Sequence, residues 1–107
     1  MKTKLHLSLK EKWYRMIEKG EKKEEYREIT QYWVRRLVQK ESPLEIEPVL
    51  YRQYDEVEFT LGYPKKEDKS RRMTFEIKKI DIGLGSSEWG APKNQRVFII
   101  TLGRKLS

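Results

Sequence analysis

The chain has no cysteine and a single histidine, His6, among its 107 residues. The first absence excludes a disulfide framework and any thiolate metal site. With only one histidine, a zinc site loses its usual ligands as well. No metal and no cofactor is expected. Long apolar runs are also missing: no stretch reaches the roughly 18 residues that a membrane span needs, and the N-terminus lacks the apolar segment of a signal peptide. The expectation is a soluble, cytoplasmic protein with no membrane partner, a monomer or weak dimer. Prolines number four and glycines six, no repeat or low-complexity segment is visible, and the length suits one domain over 1–107.

Charge is what the chain has in quantity. Charged residues make up 38% of it, with net charge +7 and pI near 9.6. Residues 1–40 carry 12 basic and 6 acidic side chains, 41–60 carry 1 and 6, and 61–107 carry 11 and 5. The basic excess therefore comes from both ends. If those ends pack together, their cations form one patch that attracts a polyanion by counterion release. The plainer reading is solubility, since small domains often carry charge of this size.

Residues 4–8 alternate, with Leu5 and Leu7 on one face and His6 on the other, and predict a first strand. Ser8-Leu9-Lys10-Glu11 reads as a capping box that starts a helix near Leu9. Leu9, Trp13, Met16 and Ile17 form its apolar stripe, and Gly20 falls where a helix end favours a left-handed residue. Alternation over 24–29 predicts a short strand on which Glu25 and Arg27 share a face and Tyr26 takes the other. Lys22, of opposite parity, joins them only from the turn before that strand. Thr30 is a candidate N-cap for a second helix with Tyr32, Trp33, Arg36 and Leu37.

Residues 42–54 read as a connecting loop, and 56–61 as a strand with Val57, Phe59 and Leu61 inward. A polar link follows over 62–72. The next strand sets Met73, Phe75 and Ile77 on one face, then shifts parity to Ile80 and Ile82; a bulge at Lys78-Lys79 would produce this and would help a small sheet curl. Residues 97–102 are apolar on both faces, as in a central strand covered by a helix. The fold class is α+β: a small barrel of about five strands flanked by two or more helices.

Two segments are candidates for function. In 83–92, no Lys-Ser/Thr follows the glycines, so the segment is not a phosphate-binding P-loop. Trp89 is either a plug over the core or a stacking surface for a base, and Glu88 could supply a second carboxylate. The stronger candidate is Gly20-Glu21-Lys22-Lys23-Glu24-Glu25-Tyr26-Arg27. In a highly charged chain such a run is ordinarily a solvated face. Here it also places a permissive backbone position, an ammonium, a carboxylate and a guanidinium between a helix and a strand.

The pattern G-x-K-x-x-E-x-R, carried by Gly20, Lys22, Glu25 and Arg27, resembles the signature of the ASCH domain family. The resemblance extends over nearly the whole chain in length, late strands and glycine-rich loop. It implies a PUA-like β-barrel, related to RNA-binding modules, whose signature residues line a cleft. One branch of that family resembles amidases that deacetylate N4-acetylcytidine, with a Lys at the position of Lys22 and a Thr where this chain has Glu25. Without that Thr, the specific activity does not carry over. The expectation is a cleft of Lys22, Glu25 and Arg27 that holds RNA or a modified nucleoside, Arg27 offering a planar fork and Lys22 a point charge. The alternatives are a small hydrolase, an amidohydrolase on an acylated cytidine or a ribonuclease with Lys22 and Glu25 as acid-base pair, and a protein-binding module presenting Tyr14, Tyr51, Tyr54 and Tyr63.

Overall fold

A computed structural model describes residues 3–107. In chain order the elements are β1 (Lys4–Leu9), α1 (Glu11–Glu18), β2 (Glu24–Arg27), α2 (Gln31–Leu37), β3 (Glu56–Leu61), β4 (Arg72–Leu84) and β5 (Arg96–Lys105), with 3-10 turns at Lys69–Arg71 and Ser87–Trp89. The five strands form one sheet in the order β1-β3-β4-β5-β2, curled into a half-barrel. β1 runs parallel to β3, and every other pair is antiparallel. The α+β class and the strand count agree with the sequence reading.

Curling follows from β4. Its first residues pair with β3 and its later ones with β5, and the register shifts between Phe75 and Ile77 and again between Ile77 and Lys79. Such irregularities bend a strand and raise its twist, which brings the edge strands β1 and β2 toward one another. The edges meet where Arg27 Nη2 donates to the Ser8 carbonyl at 3.1 Å. Leu5, Leu7, Val57, Phe59, Met73, Phe75, Phe98 and Ile100 fill the concave side. The apolar second face anticipated for β5 is present, since Val97, Phe98, Ile99 and Ile100 are all buried. Val97 and Ile99 make up that second face, while Phe98, on the concave side, is met edge-on by Tyr51 of the connection after α2.

Two local expectations are overturned at α1. Ser8 and Leu9 remain in β1, opposite Thr60 and Leu61. The helix begins at Glu11 behind Lys10, which makes no side-chain cap bond. Burying Leu9 on the sheet is worth about 1.5–3 kcal/mol, against about 1 kcal/mol for a capping hydrogen bond; Glu11 instead reaches Arg15, 3.6 Å away. The buried face of the helix also differs from the stripe read above. Tyr14 and Ile17 are its buried residues, so Tyr14 is not a surface aromatic, and Trp13 is half-buried with Lys22 and Gly90 beside its ring. Of the other tyrosines named above, Tyr51 and Tyr54 are half-buried and Tyr63 is exposed. Thr30 caps α2 as read, accepting from the Trp33 amide at 3.3 Å.

Candidate functional site

The end of α1 aims Lys22. Gly20 adopts φ +81°, the Gly20 amide donates to Ile17 O at 3.0 Å, and the Glu21 amide donates to Met16 O at 2.9 Å. This is a Schellman closure, in which a left-handed residue after the helix satisfies its last carbonyls. The Lys22 amide bonds Met16 O as well, at 3.1 Å, so the helix end holds the backbone of Lys22 while its side chain turns inward.

That side chain is 1% exposed. Its Nζ lies 3.2 Å from Glu25 Oε1, donates to the main-chain carbonyl of Trp89, and sits over the rings of Trp13 and Tyr26 at 5.0 and 4.8 Å. Glu25 divides its carboxylate: Oε1 takes Lys22, and Oε2 accepts from Arg27 Nε at 3.1 Å and Nη2 at 2.6 Å. Arg27 in turn stacks its guanidinium over Trp33 at 5.0 Å. Thus Lys22 acts from the turn, and Glu25 and Arg27 share one face of β2. Two cations bracket one carboxylate, which leaves one positive charge in excess. It resides on Arg27, whose side chain keeps 18% exposure against 7% for Glu25.

Burial pulls the Lys22 ammonium below the usual lysine value, the charge and hydrogen bond of Glu25 oppose that shift, and Arg27 adds to it. Tyr26, on the other face of β2, donates to Glu24 Oε1 at 2.7 Å and accepts from the Ser86 amide at 3.0 Å. Its hydroxyl is pushed up to about 12 by burial and by Glu24, against the pull of the Ser86 amide. A folded pKa above the unfolded value of 10.0 stabilises the fold fully below pH 10, and that contribution is lost as pH rises toward 12. Solvent screening at this half-buried site reduces it to about 1 kcal/mol. Urea unfolding at pH 9 and 11.5 should therefore show a smaller alkaline loss for Tyr26→Phe than for wild type. Equal losses would remove Tyr26 as a source of the alkaline sensitivity.

The remaining candidates divide. Gly20 and Lys22 line a small cavity of about 250 Å³ with Ile17, Lys23, Phe75 and Lys78. Arg27 lines a different one of about 380 Å³, together with His6, Tyr32, Trp33, Thr60 and Tyr63. Trp89 meets the cluster by its carbonyl, and Glu88 is exposed on the 3-10 turn. Trp13, Tyr26 and Trp33, which wall the cations, were not among the site residues read from sequence. No local pattern marks them, because a ring becomes a wall only once α1, β2 and α2 are packed. Among the described residues no group of three or more His, Asp or Glu could hold a metal ion, and no helix is long and apolar enough to cross a membrane.

No protein-family model matches the chain, and no curated protein or solved structure is significantly similar to it.

Proposed function

We propose that the chain is an ASCH-like, PUA-like module that binds RNA or a nucleoside derived from it, with Arg27 as the group that meets the ligand. The observation that carries this reading is the placement of the excess charge. Lys22 and Glu25 neutralise each other in the interior, whereas Arg27 lines a cavity whose other walls include Tyr32, Trp33 and Tyr63. Three bonds engage Arg27 Nε and Nη2, and Nη1 has no partner among the described residues. A guanidinium edge beside aromatic faces suits a base edge or a phosphate, and about 380 Å³ lies within the roughly 300–1,000 Å³ of small-molecule sites.

The hydrolase reading draws on one observation, the lowered pKa of Lys22, since general acid-base work favours a value near the operating pH. The burial of Lys22 and the ion pair that holds it favour binding without turnover. The two readings separate in one assay. Wild type is offered cytidine, acylated cytidine and short single-stranded RNA, with binding followed by fluorescence and products by chromatography. Binding without product is expected, with RNA affinity that falls as salt rises. Product that disappears in both Lys22→Met and Glu25→Gln would establish the hydrolase, and no binding of any of the three at low salt would end the nucleic-acid reading.

A further inference from the structure

We propose that the ligand is a single strand of RNA rather than a free nucleoside, laid along the outer face of β1 with its bases at Arg27 and its phosphates over a separate basic hollow. This rests on the nucleic-acid reading above and adds the path of the chain.

The hollow has a volume of about 640 Å³ and is lined by Lys4, Lys66, Lys69 and Arg72 with one acidic side chain, Glu58, and with Ser107 at its rim. Glu58 is already engaged within the protein, by Arg72 Nη1 at 3.3 Å and by His6 Nδ1 at 3.1 Å. Arg72 is fixed as a wall by the Lys65 carbonyl, 3.1 Å from its Nη2. The three lysines are exposed, and the one acidic side chain on the lining is already paired.

His6 lines this hollow and the aromatic cavity at Arg27 alike. The two are therefore neighbouring stations along β1, which rises about 3.3 Å per residue and so carries Lys4 and Ser8 about 13 Å apart. At the second station Tyr63 is 94% exposed, a large ring in water, while Tyr32, 54% exposed, has one face covered by the Arg36 guanidinium at 3.5 Å and offers the other. A cationic groove with aromatic faces at its end is the arrangement that binds single strands, the groove following the phosphates and the rings stacking bases. A free nucleoside would use only the second station. Neither station needs Lys22, so the buried pair supports the surface from behind and does not touch the strand.

The test uses the full chain, a fluorescein-labelled RNA of roughly ten nucleotides, within the site sizes of comparable single-strand binders, and free cytidine. Tyr63→Ala, at an exposed position, should weaken RNA binding by about 5- to 150-fold. Lys66→Gln/Lys69→Gln should make the slope of log affinity against log salt shallower by about 1.4 and leave cytidine binding unchanged. Lys40→Gln/Lys93→Gln removes equal charge elsewhere and should change the slope little. If both lysine pairs act alike, the attraction is diffuse and the path is wrong. If cytidine binds and the RNA gains nothing over it, the strand proposal falls while the nucleoside reading stands; if neither binds, both fall.

Discussion

Glu25→Leu should lower folding stability by about 3–5 kcal/mol, as expected when one partner of a buried ion pair is removed and the other charge is left behind. The charge left behind is Lys22, 1% exposed, with only the Trp89 carbonyl and two aromatic rings to replace the carboxylate. Arg27 is less affected, since it still reaches the Ser8 carbonyl and has partial access to water. The loss should depend on pH in a definite direction. A lysine whose folded pKa lies below its unfolded 10.5 is costly to bury while protonated, so stability rises as pH climbs from the folded pKa toward 10.5. Removing the opposing charge of Glu25 widens that window, and the variant should recover more stability between pH 7 and 10 than wild type does. The double variant Lys22→Met/Glu25→Leu should regain most of the loss, keeping a deficit of about 1–2 kcal/mol because the Trp89 carbonyl loses its donor. Urea unfolding followed by tryptophan fluorescence measures all three. A double variant no more stable than Glu25→Leu would mean that the charge on Lys22 is not what the single change strands.

Gly85→Ala should cost about 1–3 kcal/mol, the usual penalty for forcing an extra methyl into a filled space. A Cβ at this position would lie 2.6 Å from Cε1 of Tyr26 and 2.7 Å from the Cβ of Ala91. Neither neighbour gives easily: the Tyr26 ring is tethered through its hydroxyl to Glu24 and the Ser86 amide, and Ala91 is buried. The segment after Gly85 must therefore shift, and it carries the Trp89 carbonyl that receives Lys22. Gly83→Ala is the matched control, because a Cβ there meets only Ile99 Cδ1 at 3.4 Å, an ordinary contact; it should stay within about 0.5 kcal/mol of wild type. Equal effects of the two changes would show that the Tyr26 contact is not what requires glycine at 85.

What the sequence disclosed follows the range of the interactions concerned. Alternation gave β3 its full extent at 56–61, and Thr30 was legible as a cap because its bond reaches only three residues. Gly20 was legible for the same reason, its role being closed within one helical turn. The capping box failed because a local bond competed with burial of Leu9 against β3, a partner some 50 residues away in sequence. The grouping of Glu25 and Arg27 came from parity along one strand, whereas Lys22, of opposite parity, was joined to them through the turn before it and through the resemblance of the motif. The Trp89 carbonyl is 67 residues from Lys22, and no periodicity reports a main-chain acceptor at that separation. Tyr63 and the lysines of the 62–72 link were read as turn and surface, since only the parallel pairing of β1 with β3 sets that link beside His6.

The strand order also sets when these parts can come together as the chain is made. β2 has one strand partner, β5, and roughly 70 residues separate Arg27 from Arg96. At the usual synthesis rate of about 5–20 residues per second, β2 waits roughly 4–14 s for the strand that gives it a ladder. Throughout that interval the acceptor on Trp89 is also missing or newly made, so Lys22 and Glu25 stay hydrated. During synthesis their desolvation therefore waits for the docking of β5.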